Sequence, residues 1–418
     1  MNNKKQQQWV TGLQTIVAVA ISAMSIQSSF ANVVANNAMT DSFWQTQKKG
    51  ANFFRQHPAS LKDWQDAKQV GIEFFRIPLD AYLGYPVKLD NITQLTTFEI
   101  KSFDQNLKDA KTTGIPIILS FLSLPFSVWN QQHDNRDDLR LWQDKKNWQA
   151  AGDFWAAVAK RYKGNSNIVA YNILNEPHPE VLKLKNSDSA IFNVDFTSYY
   201  KKVVGTSEDL NAFYKYMVKR IRHVDPDTPI IVDAGWYAEP PAADYLKPIN
   251  AKNILYAFHM YEPYIYTTRK INNGKYVYPG KIATGNDQFS DWNKATLEKF
   301  LQPIVNFQKR YHIPSQQIIL EEFGVDRMTK GATQYLKDIV SIANKNNWHW
   351  AFYNYRGDEW TGMNYELGVK PMKWQFWKDE EKTNLFPNIS YGKANKYYAY
   401  DKNNPLWHAV IETMKSVS

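Results

Sequence analysis

Short apolar runs recur along the chain, separated by longer stretches in which apolar positions return every three or four residues. Eight runs can be marked, at 50–54, 71–78, 114–122, 167–175, 229–233, 254–260, 317–323 and 348–355. They are rich in β-branched and aromatic residues, and most lack strict alternation, the pattern of parallel strands covered on both faces. The intervening stretches have helical period. In 148–162, Ala151, Phe154, Trp155, Val158 and Ala159 share one face. Thr206-Ser207-Glu208-Asp209 supplies capping residues and first-turn acids for a helix over 210–224. The stretches 290–311 and 333–343 repeat the pattern, and Pro405 opens a last helix over 406–415. Eight strands alternating with helices, the last followed by a terminal helix, predict an α/β fold of the (β/α)8 barrel type. A doubly wound sheet is the second choice. It is disfavoured because no glycine-rich phosphate loop follows any strand. The segment after the eighth run, about 356–404, is long and carries Trp360, Trp374, Phe376, Trp377, Phe386, Tyr391, Tyr397, Tyr398 and Tyr400. A loop of that length is expected to be functional or to have structure of its own.

The first residues break this rhythm. Residues 1–8 are polar and include Lys4 and Lys5, 10–24 are mostly apolar, and Ser29-Phe30-Ala31 has small residues where a signal peptidase reads. That layout predicts a secretory leader over 1–31, with Ala35 as a second cleavage candidate, and a single domain over 32–418. A membrane anchor is the lesser reading, because an unbroken run of about 20 apolar residues is missing. Export to the periplasm or the medium is expected, with no stable membrane insertion once the leader is removed.

Composition narrows the chemistry. The 418 residues are 44% hydrophobic and 22% charged, an ordinary globular balance. With no cysteine, thiolate catalysis, disulfides and sulfur-ligated metals are excluded. Histidines are scattered without an H-E-x-x-H pair, so no metal site is expected, and no G-x-S-x-G supports an esterase. The +9 charge has no long basic run and argues for solubility rather than nucleic-acid binding. Aromatics reach 15%, more than a core needs, and flat rings suit sugar faces.

In a barrel of this kind chemistry gathers at the C-terminal ends of the strands. The second run ends near Arg76, the fourth in Asn175-Glu176-Pro177, the sixth in His259-Met260-Tyr261 and the seventh in Glu321-Glu322-Phe323-Gly324. Acids ending strands four and seven would face each other across the barrel mouth. Two facing carboxyls, one protonated and one ionised, are the minimum machinery for cleaving a glycosidic bond. Glu321 competes with Glu322 for the second place. Adjacent strand residues face opposite sides, so only one of them is expected to point into the mouth.

Arg-Ile-Pro at 76–78, Asn-Glu-Pro at 175–177, His-x-Tyr at 259–261 and Glu-Phe-Gly at 322–324, in that order, resemble glycoside hydrolase family 5, the cellulase family A group. The resemblance runs from about residue 50 to 406. It implies a (β/α)8 barrel and a cofactor-free retaining mechanism, with Glu176 as acid/base and Glu322 as nucleophile. It further implies that Asn175 binds the sugar 2-hydroxyl and that Arg76, His259 and Tyr261 surround and orient the nucleophile. Elementary electrostatics agrees. Arg76 beside Glu322 would keep it ionised, Tyr261 could donate a hydrogen bond to it, and the charge on Glu322 would keep Glu176 protonated.

The sequence departs from the family pattern twice. A histidine common at the end of strand three is replaced, with Leu122 in that place. The tryptophan that strand eight offers to the sugar is not identifiable among Trp350, Phe352 and Tyr353. Trp350 and Trp360 are carried as substrate-binding candidates, and His178 is weighed as a substrate contact. The reading is a secreted retaining β-glycosidase acting on a polysaccharide or oligosaccharide, an endo-β-1,4-glucanase first. A β-mannanase or another β-glucan hydrolase comes next, and a non-catalytic carbohydrate-binding barrel is the alternative from another class. A monomer is expected.

Overall fold

The computed structural model describes residues 38–54, 59–82, 97–130, 136–184, 194–285, 288–356, 362–369 and 404–415. Each apolar run contains a strand: β1 Lys49–Asn52, β2 Phe75–Pro78, β3 Ile117–Ser120, β4 Ile168–Asn172, β5 Ile230–Asp233 and β6 Ile254–Met260. A hairpin the pattern did not predict, β7 Gly280–Gly285 with β8 Gln288–Trp292, interrupts the series. The last two runs give β9 Ile318–Phe323 and β10 His349–Phe352. The eight barrel strands are parallel neighbours, and β10 pairs back onto β1 to close the ring. The fold is the expected (β/α)8 barrel.

Successive strand residues project to opposite faces, and here both faces are apolar. Inside the ring, Ile118, Val169, Ala170, Ile231, Leu255, Ala257, Ile319 and Ala351 form one cluster with Phe74 and Trp44. The other face, with Ile117, Leu119, Tyr171, Val232, Phe258, Leu320, Trp350 and Phe352, packs with helix residues such as Trp155, Phe213 and Ile339. That double covering explains why the runs lack alternation. Trp44, in the short turn before β1, is fully buried and closes the barrel floor. Its indole N–H donates to the Val169 carbonyl at 2.8 Å.

Helix ends follow their capping chemistry. The helix Leu61–Val70 opens on a Ser60/Asp63 capping box and stops at left-handed Gly71 (φ 93°), a conformation glycine adopts freely. Asp209 caps Leu210–Arg222 through the Ala212 N–H, as the sequence suggested. The stretch 290–311, read as one helix, is the end of β8 followed by Lys294–Phe300 and Gln302–Tyr311. Asn293 starts the first piece, and Pro303, which has no N–H to give the preceding turn, sits at the start of the second. The helices Leu61–Val70 and Thr97–Thr113 had not been anticipated. The terminal helix spans Pro405–Lys415. The predicted leader and the nine aromatic residues named in the loop after β10 lie outside the described residues. No helix among the described residues is long and apolar enough to cross a membrane.

Candidate active site

Arg76 sits at the centre of the C-terminal end of the barrel, with only 1% of its side chain exposed. Burying a guanidinium is costly unless its N–H groups meet acceptors, and Nη1 and Nη2 do so here. Nη1 donates to Glu322 Oε1 at 2.5 Å and to Asn52 Oδ1 at 3.1 Å. Nη2 donates to Asn172 Oδ1 at 2.9 Å and Asn175 Oδ1 at 2.6 Å. Nε lies 3.1 Å from Glu321 Oε1. Burial works against the charge, but Glu321 and Glu322 outweigh it and keep Arg76 firmly protonated.

Glu321 and Glu322 therefore both reach the same cation, contrary to the expectation that only one of the pair points inward. The pairing of β6 with β9 explains the difference. Phe258 pairs with Leu320 and His259 with Glu322, so Glu321 is an extra residue in a β-bulge. A bulge suspends strict alternation and re-aims a side chain. The two acids still differ in depth. Glu321 is wholly buried, whereas Glu322 keeps 9% side-chain exposure and also accepts from the Tyr261 hydroxyl at 2.8 Å. Burial first, and Glu322 next, hold the Tyr261 hydroxyl well above the usual phenol range, so it stays a donor.

Glu176 follows β4 in a left-handed conformation, φ 51°. Its N–H donates to Asp233 Oδ2 at 3.1 Å. Its carboxyl, 23% exposed, contacts His259 Nδ1 at 2.8 Å. Burial opposes a charge on His259, but Glu322, Glu176 and Glu321 overcome it and raise the imidazole well above its ordinary value. His259 is thus an imidazolium between carboxyls, and one oxygen each of Glu176 and Glu322 lie with His259 Nδ1 inside a 4.8 Å span.

The structure brings Arg76, Asn175, Glu176, His259, Tyr261 and Glu322 together. Trp350 is not among them. It is fully buried on the helix side of β10, with its indole N–H on Asn344 Oδ1 at 3.0 Å and its ring edge against Phe323. That candidate is corrected by strand alternation. Tyr353, just past β10, stands near Tyr261 at 6.4 Å between ring centres and near Phe54 at 6.1 Å, and Phe54 meets Trp129 at 5.8 Å. Trp360 lies outside the described residues. His178 stacks on Tyr237 at 4.3 Å and lies 2.8 Å from the Glu176 carbonyl through Nδ1, and burial lowers its proton affinity. Leu122 is buried at the end of the third run, and its N–H donates to Asp80 Oδ1 at 2.9 Å.

Sequence reasoning passed over Asn52, Asn172 and Asp233. Asn172 receives Ser120 Oγ at 2.6 Å besides Arg76, and donates to Asp233 Oδ1 at 2.6 Å. Asp233 closes the fifth run, so the end-of-strand rule that marked Glu322 applied to it equally.

Comparisons with known proteins agree with this arrangement. The sequence model of the family described as cellulase (glycosyl hydrolase family 5) matches residues 26–359. Endoglucanase C of Acetivibrio thermocellus is 22% identical over 321 residues, covering 71% of this chain and 83% of that protein. Endoglucanase 3 of Fibrobacter succinogenes is 21% identical over 373 residues, covering 80% of this chain and 53% of that protein. The crystal structure of endoglucanase Cel5A from Thermotoga maritima superposes with a TM-score of 0.57 at 17% identity, covering 87% of this chain and 96% of that one, a likeness of fold. With four-fifths of its length matched by the family model, and with paired carboxyls at the mouth of a (β/α)8 barrel, this chain belongs to glycosyl hydrolase family 5, the cellulase family, and is a glycosyl hydrolase.

Proposed function

We propose that this protein is an exported, retaining endo-β-1,4-glucanase in which Glu176 is the acid/base and Glu322 the nucleophile. The observation that carries this reading is the carboxyl spacing: oxygens of Glu176 and Glu322 lie within 4.8 Å of one another. Retaining enzymes keep their carboxyl groups about 5–5.5 Å apart, because the second acid must reach the anomeric carbon itself; inverting enzymes leave room for a water. Support also comes from the surroundings. Arg76 and Tyr261 donate to Glu322, one to each oxygen, and so fix its orientation. Glu176, the more exposed of the two, is positioned to give its proton to a departing oxygen and to activate water afterwards. Asn175 Oδ1 is taken by Arg76, which turns the Nδ2 donor toward a hydroxyl of the bound sugar. The partly exposed rings Trp129, Tyr353 and Tyr261 are candidates for stacking on glucose units. The names of the relatives, endoglucanases, favour a glucan as substrate. Residues 1–31 act as the export leader in this reading.

A 2-deoxy-2-fluoro cellobioside with a good leaving group tests the chemistry. Peptide mapping should find the sugar on Glu322. A label on Glu321 would exchange the two acids, and no label with an inverted product anomer by NMR would overturn the retaining mechanism. Rates on carboxymethylcellulose, mannan, xylan and laminarin decide the substrate. Carboxymethylcellulose is expected to be hydrolysed fastest, and preference for mannan would replace the glucanase reading.

A further inference from the structure

Below the Glu176 and Glu322 carboxyls lies a second pair, Asp233 and Glu321, both fully buried. Asp233 ends β5 and is held on every side. The Tyr214 hydroxyl accepts from its N–H at 3.1 Å and donates to its carbonyl at 2.9 Å. Oδ1 accepts from Asn172, and Oδ2 accepts the N–H of Glu176 at 3.1 Å. The same oxygen is 3.9 Å from His259 Nε2, and the opposite ring nitrogen is 2.8 Å from the Glu176 carboxyl. Asp233 thus holds Glu176 directly at the backbone, and His259 stands between the two carboxyls, hydrogen-bonded to Glu176 and 3.9 Å from Asp233.

We propose that Asp233 is a positioning residue for the acid/base, seating the left-handed Glu176 backbone and setting the proton balance of its carboxyl through His259. The proposal rests on the assignment of Glu176 made above.

The charge count supports it. Arg76 from β2 and His259 from β6 are two cations. Glu176, Asp233, Glu321 and Glu322 are four carboxyls around them. Glu239 acts on Glu176 and His259 as well, so full ionisation would leave more carboxylate than cation in a largely buried site, which low dielectric disfavours. Protons are therefore held among these acids. Burial, then Glu321, pushes the Asp233 carboxyl up, against the pull of His259 and Arg76, so Asp233 is one holder. Such sites titrate together. When Asp233 ionises as pH rises, its new charge opposes proton loss from Glu176 and extends the alkaline limb of activity.

Asp233→Asn in the full chain tests this, since the amide cannot ionise and can accept at only one of its two positions. On polysaccharide kcat should fall at least about ten-fold, because leaving-group protonation suffers. On a 2,4-dinitrophenyl cellobioside, whose leaving group departs without a proton, the first step should stay within about three-fold of wild type. The alkaline limb of kcat/KM should move toward lower pH by about half a unit or more. Equal losses on both substrates with an unmoved limb, or wild-type behaviour throughout, would overturn the proposal. Tyr214→Phe, which only loosens the clasp on the Asp233 backbone, guards against misfolding of the first variant. It should show the same substrate selectivity at smaller amplitude, and a uniform loss or none would also count against Asp233. Glu176→Ala runs in parallel. Azide rescue on the aryl glycoside upholds the assignment of Glu176, so that a failure of the Asp233 variants then falls on Asp233 alone. Absence of rescue removes the assignment and the proposal with it.

Discussion

Arg76 is the residue on which most of the site converges. Removing it leaves Glu321, which has no exposure, and Glu322 with only His259, 3.9 Å from each, as a counter-charge. Breaking a buried ion pair in this way costs about 3–5 kcal/mol. Arg76→Ala should therefore lower the melting temperature and activity together. Arg76→Lys keeps a charge but loses the rigid fork that holds Asn52, Asn172, Asn175 and both acids. It should fold with a near-normal melting temperature while kcat drops by about 100-fold or more, as expected when a preorganised charge contact is lost. Calorimetry with steady-state kinetics on the two variants separates these effects. Equal stability of the alanine variant and wild type would mean that the buried acids are already neutral. At His259, the surrounding carboxyls favour the imidazolium form. Dialysis against a chelator should leave kcat unchanged, and loss of activity restored by one particular metal would contradict that protonation state.

At the scale of elements, the barrel has two ends with separate tasks. The turn Phe43–Gln45 inserts Trp44 into the floor, against Phe74 at 5.6 Å and His349 at 4.8 Å between ring centres. The chemistry lies at the other end of the same strands. Trp44→Ala should cost about 3–5 kcal/mol through lost burial and the cavity left behind. Its kcat, measured well below the melting temperature, should match wild type. A large kcat loss in the folded variant would show that the floor and mouth are mechanically coupled. The loop after β5 depends on a different anchor. Residues 236–238 are all left-handed, and the Trp236 N–H donates to buried Glu180 at 3.0 Å while the Tyr245 hydroxyl donates to its other oxygen. Gly235 is required there, since a Cβ would lie 2.0 Å from the Tyr245 hydroxyl and 2.1 Å from Glu180 Oε1.

For the whole molecule, three buried groups shape stability against pH. Burial raises Asp80 and Glu180 to about 7, and the hydrogen bonds each accepts only partly offset it. Burial lowers His349 to about 4. A carboxyl raised in the fold stabilises below its unfolded value, near 4, and that contribution is lost as pH rises to about 7. A histidine lowered in the fold does the reverse, with stability present above about 6.5 and lost as pH falls through about 4. The two carboxyls outnumber the imidazole, so this set makes the protein more stable at pH 5 than at pH 8. In the double variant Asp80→Asn, Glu180→Gln the gap between melting temperatures at the two values should narrow by several degrees, each carboxyl contributing on the order of 3 kcal/mol over the interval. An unchanged or wider gap would mean that neither group titrates in that range.

What the sequence by itself determined is the part of the protein governed by local pattern. The apolar runs mark all eight barrel strands, because a strand covered on both faces needs apolar residues at every position. The strand-end motifs at Arg76, Asn175, Glu176, His259, Tyr261 and Glu322 were legible because the topology of a parallel barrel carries every strand end to one rim. The hairpin β7–β8 was not, as its solvent-facing residues leave no continuous apolar run. Tertiary structure alone decided three matters. The bulge at Glu321 turns a second carboxyl inward, since register is a property of two strands and not of one. The facing of β10 sends Trp350 to the helices and leaves Tyr353 near the site, a choice between two faces that an all-apolar run does not encode. And the lower tier, Asp233 with Glu321 beneath Arg76 and His259, exists only where four strands meet, because protonation is set by distance and burial, neither of which is written in the order of residues.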